Sequence, residues 1–377
     1  MRSRGLVVRS RWPSACLAAI VALSTLGLAG CALISSGSAI PGPVAGTATL
    51  LADGRVLLAG GYSGDHTPAT ASAELYDPKT DKFTSAGTMT VPRESHTATL
   101  LGDGQVLIAG GANATSGTPT DLTSAELYDP ATGRFTPTGS MSKTNSGGMA
   151  TILKDGRVLV IDLSGAADLY DPHTGTFSPT GRMADAHRWG SLTALADGRV
   201  LLVGGLGVQL QELSSAEIYD PATGAFSATG SMTSVRSGHT ATLLLDGRVL
   251  IAGGEADYAH TLAYSELHDP VIGTFTPSGS MIEPRSNHVA VRLADGRVLL
   301  VGGTSAIGRE IRTAEVYDPR TGAFSSTGSM TVARYWPVAI VLSDGRVFVA
   351  GGQSNSDTVT ASAELYDPKT GSFHPAG

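Results

Sequence analysis

Cysteine is nearly absent from this chain of 377 residues: Cys16 and Cys31 are the only two, and both fall near the N-terminus. Everything after Cys31 therefore has no cysteine for a disulfide, a thiolate metal site or a thiol nucleophile. Charge is also sparse, with only 16 % of residues charged. No run of Lys or Arg could track a phosphate backbone, so nucleic acid is not an expected partner. No segment of any length carries a helical hydrophobic period, which excludes helical and mixed architectures.

What is present is one unit written seven times. A run of the type D-G-R-V-L-L-x-G-G, then A-E-L-Y-D-P-x-T-G-x-F, then G-S-M, recurs from near residue 46 onward. The Asp-Gly pairs begin at Asp53, Asp103, Asp155, Asp197, Asp246, Asp295 and Asp344, at spacings of 50, 52, 42, 49, 49 and 49 residues. Such a period signals a stacked or circular array. Each unit divides into four short strands. In the second unit these are expected at Thr97 to Leu101, Val106 to Ala109, Ser124 to Tyr128, and from Phe135 onward. Asp103-Gly104 suits a tight two-residue hairpin. Gly110-Gly111 ends the second strand, and Asp129-Pro130-Ala131-Thr132-Gly133 has strong turn chemistry. One such sheet cannot bury its own faces, but seven arranged radially can. The fold class predicted is all-β: a seven-bladed β-propeller with four antiparallel strands per blade.

Paired glycines after the second strand, the Tyr of Y-D-P, a later aromatic and an Arg before the first strand resemble the kelch repeat. Phe83, Phe135, Phe177, Phe226, Phe275, Phe324 and Phe373 stand where that family usually has Trp. The resemblance covers roughly residues 43 to 377 and implies a kelch-type propeller over residues 44–377. Its frame gives seven complete blades without a strand swap, and residues 38 to 45 could still clasp the last blade. Kelch propellers include a galactose-type copper oxidase, a sialic acid epimerase and many partner-binding modules. The oxidase needs a Cys cross-linked to Tyr, and the chain beyond residue 31 has no Cys.

The N-terminus reads separately. Arg2, Arg4, Arg9 and Arg11 precede a short apolar stretch, residues 15–28, too short for a comfortable membrane span. It ends in Leu28-Ala29-Gly30-Cys31, which resembles the bacterial lipobox. That resemblance implies a lipoprotein-type signal over residues 1–31 with Cys31 as the lipid-attachment residue, anchored firmly through several acyl chains. An ordinary secretory signal with a coincidental Cys is the alternative. Residues 32–43 read as a flexible tether. Loss of the four arginines leaves 22 basic against 33 acidic residues, a net of −11.

The turns on one side of the ring barely change between copies. The opposite face, carrying the segment before the first strand and the loop from the second to the third, varies and is the expected functional face. The third unit has Ile161-Asp162 where others have Gly-Gly, with its loop shortened to about Leu163-Ser164-Gly165-Ala166. Repeat decay and a functional notch both remain open there. Ten residues before each Asp-Gly stand Arg93, Arg236, Arg285 and Arg334, with His187, Asn145 and Pro43 in the other units. In kelch propellers this position lies at the channel mouth. The arginines either form an anion-receptive pocket or cap backbone carbonyls at their own strand ends. His96, His239 and His288 recur three residues after the arginines, as structural histidines rather than a metal set.

Units four and seven read His187-Arg188-Trp189-Gly190 and Arg334-Tyr335-Trp336-Pro337. Trp189 and Trp336 are the only tryptophans after residue 31, and both occupy the same slot. They either offer aromatic platforms for sugars or peptide side chains or fill the space of the missing His. The candidate ligand-binding residues are thus Arg93, Arg236, Arg285, Arg334, His187, Arg188, Trp189, Tyr335 and Trp336.

The expected function is a lipid-anchored binding module of the bacterial cell envelope, a monomer outside the membrane that meets a glycan, cell-wall polymer or envelope protein. No cofactor or metal is expected. A metal-free sugar-acting enzyme, an epimerase or lyase, is the alternative, with His187, Arg188, His260, Glu255, Asp65 and His66 as acid–base candidates. A structural envelope spacer is the third.

Overall fold

A computed structural model describes residues 46–61, 68–113, 119–257, 260–354, 358–360 and 362–377, with the backbone alone for Ile20–Val21 and Thr358–Val359. The signal segment, Cys31, the tether, Asp65 and His66 otherwise lie outside the described residues. Ile20–Val21 runs parallel to Ser191–Leu192.

Seven four-stranded antiparallel sheets follow one another along the chain, and there is no helix among the described residues. In blade two the strands are Thr97–Leu100, Val106–Ala109, Ala125–Asp129 and Arg134–Pro137. Each strand pairs with the next, so the first is innermost. Blade one occupies Thr47–Leu50 to Lys82–Thr88, and blade seven Val338–Val341 to Ser372–Ala376. The innermost strands neighbour one another in ring order, the seventh meeting the first.

The hydrophobic core is seven clusters, one in each cleft between neighbouring blades. This is why the second strands, Val56–Ala59 through Val347–Ala350, are apolar without alternation: both faces are covered. The Met of each G-S-M turn inserts there, with Met89, Met141, Met183, Met232, Met281 and Met330 at most 5 % exposed. The Tyr of the third strand faces the Phe of the fourth, as at Tyr128 and Phe135, 4.8 Å between ring centroids. His268 takes the Tyr position in blade five.

Two local expectations are corrected. The Asp-Gly hairpin is not a two-residue turn with both residues left-handed. Gly104 N–H donates to Leu101 O and Leu101 N–H to Gln105 O, and only Gly104 has positive φ, 86°. This is a turn followed by one left-handed glycine, with the Asp103 carboxylate accepting from Gln105 N–H. In blade three, Ile161 closes the second strand in register with Ala167, as Ala109 does with Ala125. Asp162-Leu163, not Ile161-Asp162, therefore stand at the Gly-Gly positions.

The ring closes without a strand swap among the described residues. Ala48, Val56 and Tyr76 of blade one share a cluster with Val338, Phe348 and Leu365 of blade seven. Arg346 donates to Pro78 O at 3.1 Å, repeating the links Arg55 to Pro130 O and Arg199 to Pro270 O. Asp81 replaces the turn glycine of blade one, and its carboxylate accepts from Tyr76 Oη and Gly377 N–H.

Candidate functional site

The arginines expected at the mouth are not on its surface. Arg93, Arg236, Arg285 and Arg334 are all 0 % exposed. Arg285 donates to Gly302 O (3.0 Å), Thr313 O (3.1 Å) and Glu315 (2.8 Å). Arg93, Arg236 and Arg334 make the same contacts with Glu126, Glu266 and Glu364. These glutamates come from the A-E-L-Y-D strand, and they also accept N–H groups of the connector that enters the blade. Glu126 takes Thr90 and Val91, and Glu315 takes Ile282 and Glu283. The physical reason is compensation. The end of the second strand leaves a carbonyl facing a buried space, and a forked cation satisfies it and the carboxylate together. The pattern carried the signal, since an acidic residue stands two before each third-strand Tyr or His, but sequence alone did not pair it with the arginine.

His187, another candidate, is likewise 0 % exposed. It occupies the arginine slot of blade four, with Nδ1 2.7 Å from Gly204 O and Nε2 3.3 Å from Glu217. Burial opposes ionisation of Glu217, but His187 and the N–H groups of Ala184 and Asp185 outweigh it and hold the carboxyl below its ordinary range. The recurring histidines tie each blade to its predecessor: His96 to Thr47, His239 to Ser191 and His288 to Thr240, at 3.0–3.1 Å. Burial pushes His96 and His239 down to about 3, and His288 well below its usual value, so all three are neutral.

The segment one and two residues after the arginine slot is less uniformly buried, with Arg188, Trp189, Gly238, Asn287, Tyr335 and Trp336 half-buried. Ser95, Gly147, Trp189, Gly238, Asn287 and Trp336 all have positive φ, between 51 and 73°. Main-chain hydrogen bonds run from blade to blade through them: Gly147 N–H to Ser95 O, Gly238 N–H to Trp189 O, Asn287 N–H to Gly238 O and Trp336 N–H to Asn287 O. Trp189 and Trp336 are half-buried rather than exposed. Trp336 rests on the cluster between blades seven and one and lies 4.8 Å from the Tyr335 ring at 45°.

Tyr335 donates its hydroxyl to Gln353, and half-buried Arg188 donates through Nε to Leu163 O at 2.8 Å. Arg188, Trp189, Tyr335 and Trp336 are thus the sequence-predicted residues that stay at the rim. Glu94, one residue after Arg93, was not foreseen. It is 5 % exposed, and burial pushes its carboxyl up to about 7. Among the acid–base candidates, Glu255 is half-buried and accepts from Ser286 Oγ, whereas His260 is exposed.

Radial sheets, clasped connectors and a rim of variable residues define a seven-bladed β-propeller of repeat type. The Kelch motif family model matches residues 43–90, 284–331 and 337–377, which are blade one, blade six and blade seven. All seven blades share that plan, so this is a kelch-repeat propeller. No curated protein matches the chain. Among solved structures it is similar to a novel fungal alcohol oxidase with catalytic diversity among the AA5 family, in complex with copper. The TM-score is 0.69 at 17 % identity, over 92 % of this chain and 79 % of that one, a likeness of fold alone. Residues 46–377 hold no cysteine, and among the described residues no three of His, Cys, Asp or Glu gather at one point. The donor set among the described residues does not fit a copper site.

Proposed function

We propose that this kelch propeller is a binding module whose variable rim receives a glycan, a cell-wall polymer or an envelope protein. The observation that carries the reading is the backbone beneath the two indoles. Trp189 and Trp336 hold φ of 56° and 51°, a conformation costing an L-residue about 1–2 kcal/mol. Blades three and five use glycine at the same slot without that cost. Blades two and six hold Ser95 and Asn287 in the same conformation, so the positive φ belongs to the slot, and what sets blades four and seven apart is the indole placed on it. Two half-buried indoles, Tyr335 and Arg188 offer stacking faces and a cation to a sugar or a peptide.

Attachment to the outer side of a bacterial membrane through Cys31 belongs to the same proposal, supported by Leu28-Ala29-Gly30-Cys31. Cys31→Ala should release the protein from the membrane fraction.

The direct test uses protein lacking residues 1–31, whose only tryptophans are Trp189 and Trp336. Cell-wall glycans and acidic sugars are titrated while indole emission is recorded. A saturable shift, lost in Trp189→Ala or Trp336→Ala, supports the reading. Invariant, blue, quencher-resistant emission sinks it.

Glu94 favours a second reading, a sugar-acting enzyme of epimerase or lyase type. A carboxyl titrating near 7 is suited to proton transfer at neutral pH. Turnover of an acidic sugar, abolished in Glu94→Gln, would establish it.

A further inference from the structure

Blade three lacks both members of the arginine–glutamate clasp. Register puts Asn145 at the position of Arg93, Asp168 at that of Glu126, Ala166 at that of Ser124 and Asp162 at that of Gly110. In blade two the Arg93 guanidinium donates to Gly110 O, Ser124 O and Glu126. Asn145 is too short to reach these acceptors, and Asp168 is one methylene shorter than Glu. The space between them is a cavity of about 10 Å³ lined by Asn145, Asp162, Ala166 and Asp168, with exposed Lys143 at its rim. That is room for one water-sized group.

The polar lining holds two unsatisfied acceptors, and the Asn145 amide nitrogen turns to Ile161 O at 3.4 Å. Asn145 and Asp168 are 3 % and 6 % exposed, and Oδ1 of each is buried without a hydrogen-bond partner. The other Asp168 oxygen accepts from Ser142 N–H and Oγ, both at 2.9 Å. Asp162 turns its Oδ1 onto Ser164 and the Ala166 N–H. Glu126, Glu266, Glu315 and Glu364 each have an arginine partner. Asp168 makes no ion pair among the described residues. A buried carboxylate without a counter-charge is costly, and among the described residues only Ser142 donates to this one.

We propose that the socket binds one compact monovalent cation, of ammonium or potassium size, in place of the missing guanidinium. The cavity is too small for a guanidinium or a quaternary ammonium ion. Entry is from the side of Lys143.

Thermal unfolding of the protein is measured in ammonium, potassium and tetramethylammonium chlorides at matched ionic strength. At ten times the half-saturating concentration, ammonium or potassium should raise Tm by about 2 °C over tetramethylammonium. The difference should vanish in Asn145→Arg with Asp168→Glu, which installs the clasp, or in Asp168→Asn should that pair not fold. Three identical wild-type curves would overturn the proposal, the cavity then holding water. A difference undiminished in the variants would also overturn it, because the ion would sit elsewhere. So would an effect seen only in Lys143→Met, which would mean that the Lys143 ammonium already fills the socket.

Discussion

Removing one guanidinium from a blade tests whether the clasp or the sheet holds each connector. In Arg285→Ala the Glu315 side chain, 3 % exposed, loses its one cationic partner among the described residues, while Gly302 O and Thr313 O each lose a donor. Breaking a buried pair from one side costs about 3–5 kcal/mol, because the remaining charge is left uncompensated. For a ring of about 330 residues the unfolding entropy is about 0.7 kcal/mol/K, so Tm should fall by roughly 4–7 °C. Arg320 is the control. Its pair with Asp318 is equally short, 2.9 Å, but its side chain is 85 % exposed, and Arg320→Ala should leave Tm unchanged. Arg285→Met combined with Glu315→Gln should recover part of the loss, since no charge is stranded, although the single Gln oxygen can accept from only one of Ile282 and Glu283. Calorimetry on the four proteins decides. An Arg285→Ala variant within 1 °C of wild type, or a double variant worse than the single, would refute the reasoning.

Two further outcomes follow from buried groups at the mouth. Above pH 6.5 His96, His239 and His288 are neutral in folded and unfolded chains alike, and their contribution to stability is complete. As pH falls from 6.5 toward about 3, the unfolded chain takes up protons that the buried rings cannot, and each ring removes about 1.4 kcal/mol per pH unit. Tm should drop by about 5 °C between pH 7.5 and 5.5, with a shallower slope in His96→Asn; a flat wild-type profile would contradict this. Separately, Trp336→Gly should unfold at a higher temperature than Trp336→Ala, by about 1 kcal/mol of stability, because glycine releases the positive φ. The reverse order would show that the backbone there is unstrained.

The rim was partly legible before the structure. Trp189 and Trp336 stood out because two blades replace the same slot in the same way, and both are half-buried at equivalent positions of blades four and seven. Arg93, Arg236, Arg285, Arg334 and His187 occupied the right loop but the wrong side of it. Their side chains turn into the blade toward a carboxylate about 30 residues away in sequence. Position in a loop says where a backbone goes, and the long arginine stem then reaches whichever acceptor is worst satisfied. Glu94 was invisible for a similar reason: nothing in its sequence neighbourhood reports the burial that raises its carboxyl.

The repeat alone determined the blade count, the four strands of each blade, the Asp-Pro-x-Thr-Gly turns and the faces that must be covered. Those features depend on contacts within a few residues or on a period, and both are written directly in residue order. Tertiary structure decided the clasp partners, the closure through Arg346 and Pro78, the half-burial of the indoles and the socket of blade three. Each joins side chains from different strands or blades, 268 residues apart in the case of Arg346 and Pro78. Their energy comes from removing charge and carbonyls from water together, and only the packed ring sets which groups share that loss.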